Sequence, residues 1–193
     1  MTIFVAITGA SGAAYAQRAL AALLDADVEV GLCVSPSGAT VIEQELDVQW
    51  CIERPEPAAL VPRGEAIRCY RQDDLLAPFA SGSVRCDGMI VVPCSMGTLG
   101  RIASGSSDDL IVRAADVCLK ERRPLVLVPR ETPLSLIHLG NMERVCAAGA
   151  VVLPACPAFY GRPQSVEDLV DTVVARALDH LGVAHSLGRR WGE

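Results

Sequence analysis

Short apolar runs alternate with helix-length amphipathic patterns along nearly the whole chain, and this alternation restricts the fold more than any other sequence feature. Runs rich in valine, isoleucine and leucine predict buried strands over residues 2–8, 28–34, 67–71, 88–93, 125–129 and 151–154. Helical patterns occupy residues 12–24, 39–46, 96–104, 110–122, 135–148 and 166–181. Continuous apolar strands need cover on both faces. We therefore predict an α/β fold of three layers, in which helices flank a parallel sheet on both sides.

The pattern predicts one domain with a short tail. We expect residues 1–185 to form a single folded unit, and residues 186–193 carry no secondary-structure signal. Residues 47–65 are rich in proline and are expected to be a loop or a variable insertion.

Charge and cysteine usage narrow the function classes. The formal net charge is −6, so a broad basic surface for nucleic acid or for a membrane is not expected. None of the eight cysteines forms a C-x-x-C pair, which favours reduced core thiols in a cytoplasmic protein over a disulfide framework or a metal site. The sequence opens directly on a strand pattern and has no apolar run of membrane-spanning length, so neither a signal peptide nor a transmembrane helix is expected.

Small and hydroxyl-bearing residues follow several predicted strands, at the sheet edge where ligands bind in parallel sheets. Residues 8–13 contain Gly9 and Ser11 and can receive a phosphate at a helix N-terminus, although a plain strand–helix turn fits them equally well. A second such turn, residues 93–100, suggests a ligand that spans two strand ends. After the second strand stand Ser35 and Ser37, where dinucleotide-binding folds usually place an acid; this argues against NAD and is compatible with FMN. Helix capping is the alternative for both serines and is favoured for Ser37.

Charged and phenolic side chains follow the last two strands. Arg130 can bind a phosphate or carboxylate, and Glu131 can act as a general acid or base. A structural Arg–Glu arrangement at the sheet edge is the alternative. Tyr160 follows the sixth strand. Arg113 and Lys120 share one helix face, and with Arg130, Tyr160 and Arg176 they could form an anion site, whereas each cation alone would be read as a solvated surface charge.

Seven ordered segments resemble the signature of the UbiX flavin prenyltransferases: residues 8–12, 80–83, 93–99, 113–117, 119–125, 130–134 and 157–160, extended by Arg176 and Trp191. The resemblance implies a Rossmann-type, flavodoxin-like FMN fold and a trimer-based, dodecameric homo-oligomer. It also implies the reaction, in which reduced FMN and dimethylallyl phosphate give prenylated FMN, bonded at N5 and C6, for a UbiD-type decarboxylase.

The resemblance also implies site residues, and it requires no metal. The FMN contacts would be Gly9, Ala10, Ser11, Ser35, Ser95, Met96, Gly97, Thr98 and Arg130. The prenyl-phosphate site would comprise Glu45, Arg113, Lys120, Arg130, Tyr160, Arg176 and Trp191, with Arg113 contributed by a neighbouring subunit. Catalytic roles would fall to Glu131, Ser11, Lys120 and Tyr160.

One departure from the family pattern concerns an aromatic residue that some members carry before residues 80–83. Here Phe79, or Trp191 from the tail, could take its place. Two other functions are weighed against the transferase. One is an FMN-dependent cysteine decarboxylase of the same fold, whose usual Pro-Ala-Ser-Ala-Asn-Thr stretch is replaced here by residues 93–98. The other is an FMN-binding accessory subunit of an aromatic-acid decarboxylase.

Overall fold

A computed structural model describes residues 1–188 and 192 and contains a six-stranded parallel sheet flanked by helices, as the alternation predicts. The strands are β1 (Thr2–Ile7), β2 (Glu29–Val34), β3 (Arg68–Tyr70), β4 (Gly88–Cys94), β5 (Leu125–Pro129) and β6 (Val151–Val152). The helices are α1 (Ala13–Asp25), α2 (Pro36–Leu46), α3 (Met96–Ser104), α4 (Leu110–Lys120), α5 (Leu136–Ala147) and α6 (Val166–Leu181).

Strand residues alternate between two hydrophobic clusters, one on each face of the sheet. On β1, Ile3, Val5 and Ile7 pack with α1, α2 and α6, whereas Phe4 and Ala6 pack with α3 and α4. The sheet is therefore buried on both sides, which explains why its strands read as unbroken apolar runs.

The strand order is β3-β2-β1-β4-β5-β6, with every neighbouring pair parallel. The chain moves outward from β1 through β2 to β3, then returns to β4 on the other side of β1. In such a doubly wound sheet the connections leave β1 and β4 on opposite faces, which opens a crevice beyond their carboxyl ends. The two small-residue turns predicted from the sequence follow these two strands.

Helix α2 begins at Pro36, three residues before its predicted start, because the side chain of Ser35 accepts a hydrogen bond from the backbone N–H of Gly38. Residues 47–65 form a loop with short 3₁₀ turns at Pro57–Ala59 and Gly64–Ala66. Trp50, Leu60 and Val61 are buried against the core, so this loop is packed onto the sheet layer.

In the described part of the chain, all helices are too short or too polar to cross a membrane. The eight cysteines are free thiols. Cys33, Cys86, Cys94 and Cys118 are buried as predicted for core thiols, whereas Cys51, Cys146 and Cys156 are exposed.

Candidate functional site

The turns after β1 and β4 are held together by one threonine. Thr8 is almost fully buried, and its hydroxyl donates to the carbonyl oxygen of Pro93 at 2.9 Å. The Thr8 hydroxyl oxygen in turn accepts a hydrogen bond from the backbone N–H of Ser95 at 2.8 Å. We call the edge built here the carboxyl rim; it comprises residues 8–13, 35–37, 95–98 and 130–131, with Tyr15 and Glu45 packed against the first of these segments.

Strand pairing brings Arg130 to the same edge. Cys94 pairs with Pro129 at the ends of β4 and β5, so Ser95 and Arg130 each follow one of two adjacent strand ends. Likewise Ile7 pairs with Val34, which places Ser35 beside Thr8. The parallel sheet thus gathers the predicted FMN contacts from the ends of four strands, β1, β2, β4 and β5.

The start of α3 provides hydrogen-bond donors for a ligand. Ser95 caps this helix by accepting from the backbone N–H of Thr98 at 3.2 Å, and its hydroxyl donates to the Thr98 hydroxyl at 3.0 Å. Within the described residues, the N–H groups of Met96 and Gly97 have no backbone partner, as expected in a first helical turn. A side chain built on Gly97 would meet nothing closer than the Ser95 hydroxyl at 4.0 Å. This open, donor-lined position fits an FMN molecule.

Ser35 and Ser37 hold the second turn of the rim. Ser35 is buried, caps α2, and its hydroxyl lies 3.2 Å from that of Ser37. A side chain on Gly9 would come within 2.4 Å of the Ser37 hydroxyl, so only glycine fits there. Ser35 is therefore the cap of α2, whereas Ser37 lies in the first turn of the helix, so the capping role favoured for Ser37 is wrong. A contact of Ser35 with FMN stays a prediction.

Glu45 occupies the N-terminus of α1. From the last turn of α2, its carboxylate accepts hydrogen bonds from the backbone N–H groups of Gly12 (2.8 Å) and Ala13 (2.7 Å). Burial would raise the pKa of Glu45. Hydrogen bonds from the Ser11 hydroxyl and the two N–H groups, with the charge of Arg130, outweigh burial and lower it. The anion position that the sequence left open for a phosphate is thus filled by a carboxylate of the chain itself.

Tyr15 is a rim residue that the sequence reasoning missed. It is half-buried on α1, and its ring lies where a side chain on Gly12 would come within 2.9 Å. Burial raises the pKa of Tyr15, the neighbouring Cys156 raises it further, and Arg130 opposes both. The phenol therefore stays neutral beside the Arg130 guanidinium. Its position one turn after Gly12 is the only sequence signal that could have identified it.

Arg130 and Glu131 are both exposed at the end of β5. Glu131 accepts a hydrogen bond from the backbone N–H of Thr132 at 3.0 Å. Within residues 1–188, Arg130 and Glu131 do not form the ion pair that was the structural alternative to a functional role. Both side chains remain available to a ligand at the rim.

Three cations gather around a serine–glycine–serine loop elsewhere in the molecule. Arg113 Nε donates to the carbonyl oxygen of Ala80 at 3.0 Å, and Arg123 Nη2 donates to that of Gly82 at 2.6 Å. The only lysine of the sequence, Lys120, pairs with Glu121, and both side chains lie against Gly82. We call Arg113, Lys120, Arg123 and residues 80–83 the α4 cluster.

Lys120 and the carboxyl rim lie at opposite ends of the strands in one chain: Lys120 at the amino ends and the rim at the carboxyl ends. Lys120 ends α4 and precedes the first residue of β5, whereas Arg130 follows the last residue of β5. Five strand residues span about 16 Å. A ligand at the rim of one subunit therefore cannot use the Lys120 of that same subunit.

Tyr160 and Arg176 lie in a third region. Tyr160 lines a groove of about 440 Å³ between residues 158–164 and α6, which also presents Asp168 and Asp171. Arg176 is exposed on α6 and pairs with Asp179 at 3.0 Å. The predicted residue Trp191 lies outside the described residues. Within the described residues, Tyr160 thus lies in the groove beside α6, and Arg176 is held by an ion pair on the same helix.

Phe79 does not face a ligand site. Its ring is buried, stacked on Phe4 with centroids 4.3 Å apart and edge-on to Tyr70 at 5.3 Å. The expectation that Phe79 could present an aromatic face to a prenyl group is therefore wrong, because the ring is packed inside the core.

Comparisons with known proteins support the fold and the family resemblance. Residues 1–178 match the family model described as Flavoprotein. The flavin prenyltransferase UbiX of Methanocaldococcus jannaschii is 48% identical over 192 residues, which cover 100% of this chain and 99% of the relative. The crystal structure of AnUbiX (PadA1) in complex with FMN and dimethylallyl pyrophosphate superposes with a TM-score of 0.89 at 47% identity, covering 100% of this chain and 97% of that one. A dodecameric FMN-dependent UbiX-like decarboxylase from Escherichia coli O157:H7 gives 0.88 at 44% identity, with both chains covered in full.

Proposed function

The chain belongs to the flavoprotein family, among the flavin prenyltransferases, and from this premise we propose that it transfers a dimethylallyl group from dimethylallyl phosphate to reduced FMN. The observation that carries the proposal is the donor-lined rim at the β1–β4 crevice, where Ser95, Arg130 and Glu131 follow adjacent strand ends. Reduced FMN, when bound, supplies N5 and C6, the two atoms to which the dimethylallyl group becomes attached.

Rim residues hold and orient FMN in this proposal. Gly9, Ala10 and Ser11 would contact it from the first turn and Ser35 from the second. Met96, Gly97 and Thr98, with Ser95, would contact it from the third. The backbone donors of α3 suit an anionic or carbonyl-bearing ligand because a helix N-terminus carries partial positive charge.

Cations assist the departure of the phosphate. When the allylic carbon–oxygen bond breaks, negative charge develops on the phosphate, and Lys120, Arg113 and Arg176 with the Tyr160 hydroxyl can stabilise it. Such charge stabilisation requires no metal. Glu131 would move the proton that must be transferred as phosphate leaves and the second ring bond closes, and Ser11 would support that step.

A complete site needs more than one copy of the chain. Arg130 stands at one edge of the sheet and Lys120 at the other, so a neighbouring subunit has to supply the α4 cluster. A head-to-tail contact of this kind closes into a ring when its rotation allows. We therefore propose a trimer-based homododecamer; the Escherichia coli structure above is dodecameric.

Mass spectrometry of the flavin tests the proposal. The protein is incubated with reduced FMN and dimethylallyl monophosphate, and in a parallel reaction with the pyrophosphate, each without metal. We expect a flavin heavier by one C5H8 unit with at least one donor, and a Glu131→Gln variant that binds FMN but yields far less product. An unchanged flavin mass with both donors would favour the accessory-subunit alternative, and oxidative decarboxylation of a cysteine-ended peptide would favour the decarboxylase.

The product would serve a UbiD-type decarboxylase in the cytoplasm. Adding the reaction mixture to such an enzyme in its cofactor-free form is expected to start decarboxylation, whereas a mixture made with the Glu131→Gln variant leaves it inactive. The same result with both mixtures would remove this partner from the proposal.

A further inference from the structure

The chain turns back on itself after α6, and the returning segment lies along the helix that carries Arg176. Gly182 ends α6 in the left-handed conformation, with a φ of 70°, which glycine adopts without strain. At the far end of the returning segment, a side chain on Gly188 would come within 3.8 Å of the Ala175 side chain. We call residues 183–188 the return segment; it runs antiparallel to α6.

A buried histidine fastens the return segment to α6. The side chain of His185 is only 5% exposed, and its Nε2 lies 3.2 Å from Asp179 Oδ1. The other ring nitrogen, Nδ1, accepts a hydrogen bond from the backbone N–H of Leu187 at 3.2 Å. In the neutral ring the proton therefore sits on Nε2, and Nε2 donates to the carboxylate. Both ring nitrogens have partners, as a buried polar group requires.

Asp179 connects this histidine to Arg176. One carboxylate oxygen, Oδ1, accepts from His185, and the other, Oδ2, accepts from Arg176 Nη1 at 3.0 Å. The arginine side chain is 60% exposed and that of the aspartate 24%, so burial increases from the arginine through the aspartate to the histidine. A guanidinium carries several N–H groups, and the bond to Asp179 leaves others for a phosphate, which arginine can bind with two of them at once.

We propose that His185 is a positioning residue: through Asp179 it holds the Arg176 guanidinium in place for the phosphate of the prenyl donor. The inference rests on the proposed function, which assigns Arg176 to that phosphate. An arginine side chain has many rotamers, and fixing one of them on binding weakens a ligand's affinity about two- to tenfold. A carboxylate that is itself fixed by a buried histidine removes part of this loss before the donor arrives.

Two features distinguish this arrangement from an ordinary surface ion pair. An exposed arginine–aspartate pair three positions apart on a helix usually contributes little, but here the aspartate is also bonded to a buried side chain from outside the helix. The return segment, moreover, leads from Asp179 to the groove of Tyr160, because Gly188 lines that groove. It therefore adjoins both residues of this region, Arg176 and Tyr160, that are predicted to contact the prenyl phosphate.

Binding of dimethylallyl monophosphate to the full-length protein loaded with oxidised FMN tests the proposal. Oxidised FMN lacks the nucleophilic N5 of the reduced form, so the donor binds without reacting and calorimetry gives its dissociation constant. We expect His185→Ala to weaken donor binding about fivefold and to leave FMN affinity unchanged. His185→Gln keeps an N–H donor and should retain most of the wild-type affinity. The matched control is His180→Ala, at an exposed histidine next to Asp179 in sequence, which should bind the donor like the wild type.

A double-mutant cycle separates positioning from a general effect on the fold. If His185 acts through Arg176, His185→Ala should cost no further donor affinity once Arg176→Met has removed the guanidinium. A further loss in that background, or wild-type affinity in His185→Ala alone, overturns the proposal. Asp179→Asn gives the same cycle if His185→Ala does not fold, since it weakens the hold on Arg176 from the other side of the relay. A wild-type protein that binds no donor would instead contradict the proposed function, and this outcome differs from equal binding by wild type and variant.

Discussion

The carboxyl rim and the α4 cluster are built in different ways. At the rim, backbone pairing of adjacent strands sets the positions of Thr8, Ser95 and Arg130. In the α4 cluster, long side chains reach toward a loop, and Lys120 and Arg113 are held by ion pairs with Glu121 and Asp116. The rim is thus fixed by the sheet, whereas the cluster is fixed by contacts that a ligand can replace.

The two kinds of construction suit different tasks. A partly exposed ion pair stabilises a protein by about 0–1 kcal/mol. Lys120 can therefore exchange Glu121 for a phosphate with little loss of folding free energy. The Glu45 carboxylate, by contrast, accepts hydrogen bonds from two backbone N–H groups at the rim. A ligand that displaced this carboxylate would have to satisfy both N–H groups. We infer that the rim is a rigid seat for the flavin and that the cluster supplies exchangeable cations to a neighbouring subunit's rim.

Subunit complementation gives the largest expected effect. Arg130→Met disables the rim and Lys120→Met disables the cluster, so each homo-oligomer should be inactive. Co-expressed in equal amounts, they should recover about a quarter of wild-type flavin prenylation, because one site in four combines an intact rim with an intact cluster from its neighbour. Co-expression of Lys120→Met with Arg113→Met is the matched control and should stay inactive. Absence of recovery in the first pair would mean that one chain builds the whole site.

Replacement of Lys120 alone should separate transfer from flavin binding. Lys120→Met is expected to lower the turnover number about 10²–10³-fold, the usual effect of removing one group that stabilises developing negative charge. FMN affinity, measured by flavin fluorescence, should not change, because the proposal places FMN at the rim. Lys120→Arg keeps the charge and should retain more activity. A loss of FMN affinity in Lys120→Met would place the lysine at the flavin and break the distinction between the two regions.

The sequence predicts the rim far better than the cluster. Strand patterns and the small residues after them place Gly9, Ser95 and Arg130 at one edge, because parallel strands end together. Cation spacing puts Arg113 and Lys120 on one face of α4, yet it does not say which edge of the sheet Lys120 reaches. That depends on the direction of α4 and on the loop it contacts, both of which follow from the folded chain.

Long-range contacts account for the side-chain positions that local sequence patterns do not predict. Glu45 caps α1 from 33 positions away, and Tyr15 becomes a rim residue only because β5 and β6 end beside α1. Phe79 lies beside a glycine on β2: a side chain on Gly31 would come within 2.4 Å of its ring, so the space that buries Phe79 is created by a distant residue. Local propensity carries none of this information.

Replacing Gly12 with alanine should disturb the rim and leave the α4 cluster unchanged. Gly12 has a φ of 127°, and an added Cβ would lie 2.9 Å from the Tyr15 ring. We expect Gly12→Ala to lower the free energy of unfolding by about 2 kcal/mol and to weaken FMN binding. Gly105→Ala is the control, since its φ of 74° is also left-handed but its Cβ would meet nothing within 4 Å; it should cost about 1 kcal/mol and leave FMN binding intact. Equal losses of unfolding free energy in both variants would show that the Tyr15 ring moves aside without a measurable penalty.

Glu45→Gln should have the smallest effect, and its pH dependence identifies the cause. The glutamine retains an acceptor but loses the charge at the N-terminus of α1, so urea unfolding at pH 7 should show a loss of about 1 kcal/mol. Because the pKa of Glu45 in the folded chain lies below its ordinary value of 4.5, the carboxylate stabilises the fold above that pH. Its contribution disappears as pH falls through the folded-state pKa. The difference between wild type and variant should therefore shrink below about pH 4.5. Glu56→Gln, at an exposed position without a side-chain cap, should show no such trend. A difference that persists unchanged at low pH would mean that the shape of Glu45, and not its charge, holds the first turn of the rim.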